Sequence, residues 1–175
     1  RLHFLRHDEH GAGLAAACAR RLRLSAEEAE FVSLVVRNHM RPETLQAAAA
    51  VTPRAAYRFF RDSGPAGVAV VLLSLADLLG KYASPPPQAE WAGRVGVARS
   101  LLEAAFEQES RVVNPPRLLD GDDVMRALSL APGPAVGELL ERLREAQAEG
   151  GVTTKEEALA FVRACIEGGS PAGRD

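Results

Sequence analysis

The stretch Gly67–Gly80 constrains the fold more than any other part of the chain. It reads Gly-Val-Ala-Val-Val-Leu-Leu-Ser-Leu-Ala-Asp-Leu-Leu-Gly, which leaves a helix apolar on every side. A helix without a polar face is expected inside a protein core, and this one is too short to span a membrane. We therefore expect a helical protein organised around this segment, with no membrane partner.

Asp77 is the exception within that segment. A carboxylate in an apolar helix loses its hydration unless a metal, a histidine, an arginine or a hydrogen-bond network meets it. The alternative is an aspartate near the helix end that turns toward water or toward an arginine. The sequence leaves both interpretations open.

The composition favours an all-α fold. Of the 175 residues, 47% are hydrophobic but only 5% are aromatic, which suits a core of Ala, Leu and Val, and alternating strand-like runs are hard to find. Capping boxes at Ser25 with Glu28 and at Thr154 with Glu157, and the N-cap Thr52 followed by proline, are typical helix starts. These signals predict helices over residues 7–22, 26–39, 53–62, 67–80, 91–109, 124–128, 131–149 and 155–167.

Ser84-Pro-Pro-Pro-Gln88 is the strongest boundary signal, because consecutive prolines cannot continue a helix. We expect a first region over 1–82, a linker over 83–88, a second helical region over 89–169 and a disordered tail over 170–175. Residues 1–82 carry 11 Lys or Arg against 8 Asp or Glu, whereas residues 83–175 carry 10 against 15. Only the first region is therefore suited to binding a polyanion.

Cys18 and Cys165 are the two cysteines of the chain, and they lie near opposite ends without metal-type spacing. We interpret them as reduced, buried residues of a cytoplasmic protein.

Arg54, Arg58 and Arg61 lie on one face of the predicted helix 53–62, interleaved with Tyr57, Phe59 and Phe60. Arginines beside aromatic rings can follow a phosphate backbone and offer rings on which bases stack. A solvated arginine face over an aromatic core is the other interpretation. Both remain open from the pattern alone.

Two further patterns allow a metal reading. His39 shares a helix face with three valines, where it is either a core histidine or a metal ligand. The second pattern is Asp120-Gly-Asp-Asp123, which precedes a short helix. Carboxylates at a helix start usually serve its cap and dipole, so we expect a cap rather than a metal site there.

A series of short segments runs through nearly the whole chain: Phe4-Leu-Arg-His7-Asp-Glu-His-Gly11-Ala12, Arg21-Leu-Arg-Leu-Ser25, His39-Met-Arg-Pro42, Tyr57-Arg-Phe-Phe-Arg-Asp62, Leu73-Ser-Leu-Ala-Asp77, Leu118-Leu-Asp-Gly-Asp-Asp-Val-Met125, Pro132-Gly-Pro134 with Gly137, and Thr153-Thr-Lys-Glu-Glu-Ala-Leu159. In this order they resemble the later part of the HD domain, and the helices after it, in bacterial tRNA nucleotidyltransferases and poly(A) polymerases. The resemblance implies a partial HD-type helical bundle followed by a smaller helical region.

The resemblance also implies a metal site. HD domains hold a divalent metal, Mg²⁺ or a transition metal, through histidines and aspartates from several helices, and His7, His39 and Asp77 match positions of that set. The His7-Asp8 pair is not the metal dyad of the family, because Glu-His-Gly-Ala follows it. The dyad is expected upstream of Arg1, which leaves the metal site incomplete.

The function implied by the resemblance is that of the RNA-binding body of an RNA 3'-end nucleotidyltransferase. The expected partners are tRNA or other RNA 3' ends and an N-terminal nucleotidyltransferase head in the same parent chain, with no catalytic residue in this fragment. Arg54, Arg58 and Arg61 are the candidate RNA contacts. The alternative function is that of an HD-type phosphohydrolase acting on phosphate esters or cyclic phosphates. A helical interaction module is a third hypothesis. The sequence leaves the oligomeric state open.

Overall fold

The computed structural model describes residues 7–48, 50–82 and 84–167, and every regular element within them is helical. A 3-10 turn over Gly64–Ala66 and a π-helical turn over Glu109–Val113 accompany the α-helices. The all-α prediction is confirmed, whereas the HD-type assignment stays a prediction. The predicted tail 170–175 and the segment 4–6 lie outside the described residues. The helices are α1 (His7–Arg21), α2 (Ala26–Asn38), α3 (Arg41–Ala47), α4 (Pro53–Ser63), α5 (Gly67–Gly80), α6 (Gln88–Phe106), α7 (Gly121–Leu128), α8 (Pro134–Ala148) and α9 (Lys155–Glu167).

Helix α3 was not expected from the sequence. Arg41-Pro42, which lies just beyond the helix predicted over 26–39, begins a new helix with proline in its first turn and Pro42 buried. Proline is tolerated there because the first backbone N–H groups of a helix have no intrahelical partner. The consequence is that Arg41 lies on a helix rather than in a loop.

The chain divides into two compact units, of which the first ends at Glu107 and the second begins at Gln108. Helix α6 belongs to the first unit, where it packs on α3 and α5 and buries Arg94, Val97 and Leu101. This division differs from the predicted linker over 83–88. Prolines stop a helix, but they do not prevent the next helix from joining the same core.

Helices α1 and α2 pack along each other through small residues. Ala12 is fully buried, and a Cβ added at Gly11 would lie only 3.1 Å from Val36 Cγ1. Ser33 Oγ donates a hydrogen bond to the Ala12 carbonyl oxygen at 3.3 Å. Cys18 lies on the exposed side of α1, so the expectation that both cysteines are buried is wrong for Cys18, and Cys165 is only partly buried.

Helix α5 is the central helix of the first unit, but it is not buried on every side. Val70, Val71 and Leu78 are completely buried, whereas Leu72 is 54% exposed and Leu79 is 49% exposed. The expected burial all round is therefore wrong for one side of the helix. At its start, Gly67 allows a close approach to α4, since a Cβ there would lie 2.5 Å from the Phe60 ring.

The helical stretch Pro53–Gly80 is long and apolar enough to cross a membrane by length and composition alone. A buried core helix passes the same test. The 3-10 turn Gly64–Ala66 separates α4 from α5, and α5 packs against α2, α3 and α6. Packing in the first unit thus buries one side of α5, while Leu72 and Leu79 stay exposed.

The second unit has a core of aliphatic residues from α7, α8, α9 and the connections beside them. Leu143, Val124 and Val162 are at most 1% exposed. Asp120 and Asp123 form a capping box at the start of α7, so the expected cap at this acidic cluster is present. The buried members of the core are Leu119, Val124, Val136, Leu139, Leu143, Ala146, Val152, Ala158 and Val162.

Candidate nucleic-acid interface

Helix α4 presents an arginine face to solvent and buries an aromatic face. Tyr57, Phe59 and Phe60 are 4%, 1% and 7% exposed, while Arg54, Arg58 and Arg61 are exposed. Phe59 and Phe60 contact each other edge to face at 5.0 Å. The structure matches a solvated arginine face over an aromatic core, and the rings are not accessible for base stacking.

Helices α3 and α4 border an open groove of about 340 Å³, which we call the α3–α4 groove. Three arginines and two threonines supply its polar groups, and none of its eight lining residues is acidic. Two of the three predicted arginines line it, together with Arg41 from α3, whereas Arg61 is not part of the lining. The lining residues are Arg41, Thr44, Leu45, Thr52, Arg54, Ala55, Arg58 and Phe59.

Asp62 lies beside this groove and holds two arginines. Its Oδ2 accepts a hydrogen bond from Arg41 Nη2 at 2.9 Å, and its Oδ1 accepts one from Arg61 Nε at 2.6 Å. Burial opposes ionisation of Asp62, but the hydrogen bonds from Arg61 and Arg41 outweigh it and lower the pKa of this carboxyl. Arg61 therefore offers less uncompensated charge to a ligand than its position in the sequence suggests.

Arg41 is also fixed from below. Its guanidinium carbon lies 5.8 Å from the centre of the Phe59 ring, within the range of a cation–π contact. With Asp62 on one side and this ring beneath it, the Arg41 side chain is held in one orientation at the groove.

Arg94 connects α3, which carries Arg41, to the rest of the first unit. Its side chain is 3% exposed, and its guanidinium donates hydrogen bonds to Gln46 Oε1 at 2.9 Å and to Ser74 Oγ at 3.0 Å. Its Nη2 lies 3.4 Å from Glu43 Oε2, which also accepts a hydrogen bond from Lys81 Nζ at 3.2 Å. Helices α3, α5 and α6 thus meet at one buried cation.

Glu43 completes this polar cluster on the solvent side. Partial burial opposes its ionisation, but hydrogen bonds and positive charge from Lys81 and Arg94 outweigh that effect and lower its pKa. The carboxylate form is therefore the one that the folded state stabilises.

The two predicted metal-binding histidines lie together. The rings of His7 and His39 meet at 64° with their centres 5.3 Å apart, and His39 is only 8% exposed. His39 Nδ1 lies 2.6 Å from the Val36 carbonyl oxygen. Because a carbonyl can only accept, Nδ1 is the donor in this contact.

Asp77 has a different partner. Its side chain is 34% exposed, and its Oδ2 lies 3.6 Å from Lys81 Nζ one turn along the helix. It turns toward water and a cation, as the second interpretation of this residue expected, with a lysine in place of an arginine. Within residues 7–48, 50–82 and 84–167, no group of three or more His, Cys, Asp or Glu side chains is placed to hold a metal ion. These residues alone do not supply the ligands of a metal site, so the metal role of His7, His39 and Asp77 stays a prediction.

Sequence reasoning missed Arg41 and Arg94. Arg41 was missed because no helix was predicted between residues 39 and 53. Arg94 had a usable signal, since it precedes Val97 by three residues and Leu101 by seven, which places it on the buried side of α6.

Comparison with curated proteins identifies similar chains among bacterial tRNA nucleotidyltransferases. The A-adding tRNA nucleotidyltransferase of Deinococcus radiodurans is 35% identical over 161 residues, which cover 92% of this chain. The CC-adding enzymes of Thermus thermophilus and Geobacter sulfurreducens are 38% and 32% identical and cover 93% and 87% of it. The chain spans only about a third of the length of these relatives, at 35%, 34% and 32%. No family model matches the chain, and no solved structure matches it.

Proposed function

Because this chain is a relative of one part of the bacterial CC- and A-adding tRNA nucleotidyltransferases, we propose that it is the RNA-binding helical body of an RNA 3'-end nucleotidyltransferase. The observation that carries the proposal is the exposed arginine face of α4 beside the α3–α4 groove, in a unit whose relatives are named as enzymes of tRNA. Guanidinium groups bind phosphates through paired hydrogen bonds and release counterions when they do so. The RNA contacts of this body are Arg54, Arg58 and Arg61, of which Arg54 and Arg58 line the groove and Arg61 lies beside it.

The chemistry of nucleotide addition lies elsewhere in this proposal. The chain acts with a nucleotidyltransferase head in the same parent polypeptide, in the cytoplasm, and contributes no catalytic residue. The greater length of the relatives supports such a head. A-adding and CC-adding relatives match this region at similar identity, 35% and 38%, which supports placing the choice of nucleotide outside it.

Binding of a tRNA lacking its CCA end, measured by fluorescence anisotropy across a salt series, tests the RNA-binding role. We expect measurable binding at low salt. In the Arg54→Ala, Arg58→Ala, Arg61→Ala triple variant, the slope of log K against log salt should be smaller by about 0.7–0.9 for each phosphate contact that is lost. The matched control is the Arg142→Ala, Arg144→Ala, Arg163→Ala triple variant, which removes three exposed arginines of the second unit. Equal losses in the two triple variants, or no binding by the unmodified chain at low salt, would overturn the proposal.

A metal-dependent phosphohydrolase is the second candidate, and the His7–His39 pair is the observation in its favour. A histidine that donates Nδ1–H to a backbone carbonyl, as His39 does, keeps Nε2 available as a ligand. The described residues provide too few further ligands to derive a reaction step. Calorimetric titration with Mn²⁺ and Zn²⁺ tests this candidate, since stoichiometric binding that is lost in His39→Gln supports it and no binding by either ion ends it for this chain.

A further inference from the structure

We propose that the α3–α4 groove binds one backbone phosphate of the RNA, held jointly by Arg41, Arg54 and Arg58. The inference rests on the proposed RNA-binding function and changes its geometry. In place of a stripe of three arginines that follow successive phosphates along α4, the structure assigns a single phosphate subsite with one wall from α3. Arg61 lies outside it.

The charges of the groove support an anionic ligand. Three of the eight lining residues are arginines and none is acidic, and the neighbouring carboxylate of Asp62 accepts from Arg41 and Arg61. Asp62 leaves most of the five guanidinium N–H donors of Arg41 for other acceptors. Together with the Phe59 ring below it, Asp62 orients Arg41 before any ligand arrives, which reduces the entropy lost on binding.

The hydroxyl groups of the groove add donors suited to phosphate oxygens. Thr52 Oγ1 accepts a hydrogen bond from the Ala55 backbone N–H at 3.1 Å, as the N-cap of α4. Because that bond uses a lone pair, the hydroxyl proton of Thr52 remains available for donation. Thr44 brings a second hydroxyl from α3.

The groove recognises a phosphate rather than a base. Phe59 is only 1% exposed, so its ring supports Arg41 from inside the core and is not accessible to a stacked nucleobase. The groove is open and has a volume of about 340 Å³. This space suits a phosphodiester with its flanking sugar, part of a strand that continues past the site. Binding through it is therefore independent of base sequence.

Salt-dependent tRNA binding by single and double arginine variants distinguishes one shared phosphate from a stripe. We expect Arg41→Gln and Arg58→Gln each to lower the slope of log K against log salt by about 0.7–0.9. The double variant should lose no more than either single variant, because both side chains hold the same phosphate. Arg61→Gln should change affinity by less than about twofold, because Arg61 does not line the groove.

A second pair of variants leaves all the arginines in place. Thr44 and Ala47 are both exposed on α3, but only Thr44 lines the groove. We expect Thr44→Glu to weaken tRNA binding about tenfold at low salt by placing a negative charge beside the phosphate, and Ala47→Glu to have a much smaller effect because solvent screens it. Unchanged Trp91 fluorescence and circular dichroism identify variants that keep the fold.

The outcomes separate this inference from the function on which it rests. If the chain binds no tRNA, both fail. Two results would keep the RNA-binding role and overturn the shared phosphate site. One is that the Arg54, Arg58, Arg61 triple variant loses tRNA binding while Arg41→Gln and Thr44→Glu bind tRNA as the unmodified chain does. The other is that the slope losses of Arg41→Gln and Arg58→Gln add in the double variant. If ATP or pyrophosphate displaces tRNA from the unmodified chain and not from Arg41→Gln, the groove binds a free nucleotide phosphate, which also overturns the assignment to the RNA backbone.

Discussion

The two units of this chain differ in how deeply they bury the charges that join their helices. In the first unit, charges connect helices: Arg94 is buried between three of them, and Asp62 links Arg41 to Arg61. In the second unit, Asp120 and Asp123 form the capping box of α7, and Glu157 accepts from backbone N–H groups at the start of α9. The ion pair between Lys155 Nζ and Asp123 Oδ2, at 3.2 Å, joins α9 to α7 nearer the surface, since the Lys155 side chain is 54% exposed. The core of that unit is mainly aliphatic, although Glu145 and Gln147 of α8 are also buried.

The contrast extends to net charge. The first unit carries 13 Lys or Arg against 11 Asp or Glu, and the second carries 8 against 12. A unit stabilised mainly by apolar packing tolerates an acidic surface. The unit with arginines around a groove is the one suited to binding a nucleic acid. The candidate RNA-binding unit therefore differs from the second unit in its charge distribution more than in its core composition.

The largest expected effect is in the apolar core of the second unit. Leu143 is 1% exposed, and we expect Leu143→Ala to reduce the free energy of unfolding of that unit by about 3 kcal/mol, through lost burial and the cavity left behind. Trp91, Tyr57 and Tyr82 all lie in the first unit, so tryptophan fluorescence follows that unit alone while circular dichroism follows both. A loss visible by circular dichroism with an unchanged Trp91 transition is the expected result.

The control for Leu143 is Ile166→Ala on α9, which removes a side chain that is 44% exposed and should cost less than about 1 kcal/mol. If the Trp91 transition moves as far as the circular dichroism signal in Leu143→Ala, the two units unfold together and the contrast between them does not extend to stability.

The next effect in size is expected at Arg94. Arg94→Met removes the shared donor of Gln46 and Ser74, and we expect the first unit to lose about 2 kcal/mol, within the range for buried hydrogen bonds to a charged group. Denaturant unfolding followed by Trp91 fluorescence measures it. Arg99→Met is the matched control on the same helix, because Arg99 is 79% exposed and pairs only at the surface with Glu103, so its loss should be much smaller. Equal losses in the two variants would contradict the role assigned to Arg94.

The smallest expected effect is the pH dependence of Glu43. Its pKa is lowered in the folded state, so its contribution to stability is present at neutral pH and is lost as the pH falls below the ordinary glutamate range through the lowered value. The side chain is 43% exposed, which limits that contribution to less than about 1 kcal/mol. Glu43→Gln should therefore destabilise the first unit slightly at pH 7 and match the unmodified chain at pH 3, as measured by Trp91 unfolding. A difference that stays constant between these pH values would disprove the ionic contribution.

Local signals predicted most helix starts. Ser25 with Glu28 forms the predicted capping box of α2, and Thr52 accepts from the Ala55 backbone N–H at the start of α4. Such signals work because donor and acceptor lie within one helical turn, where sequence spacing fixes their distance. Helix α6 was predicted over 91–109 but runs from Gln88 to Phe106. It begins earlier than the amphipathic pattern indicated because a proline, Pro87, can serve as its N-cap.

Contacts between distant segments could not be predicted in the same way. Arg41 and Asp62 are 21 residues apart, and Gln46 and Arg94 are 48 apart, so only the folded chain reveals that they meet. The arginines of α4 were visible as a periodic pattern, but the groove they border needed α3. The burial of Phe59 and the pairing of Arg61 likewise depend on tertiary packing, which is why the roles of these residues were left open by the sequence.

The glycines of the helices have a consequence for engineering a more heat-resistant form of this chain. Replacing a helical glycine by alanine usually stabilises a helix by roughly 0.5–1 kcal/mol. Gly13, Gly96 and Gly137 have no atom within 4 Å of an added Cβ, so they are suitable positions for that change. Gly67 is not, because the Phe60 ring fills the space, and an alanine there would push apart the two helices on either side of the 3-10 turn.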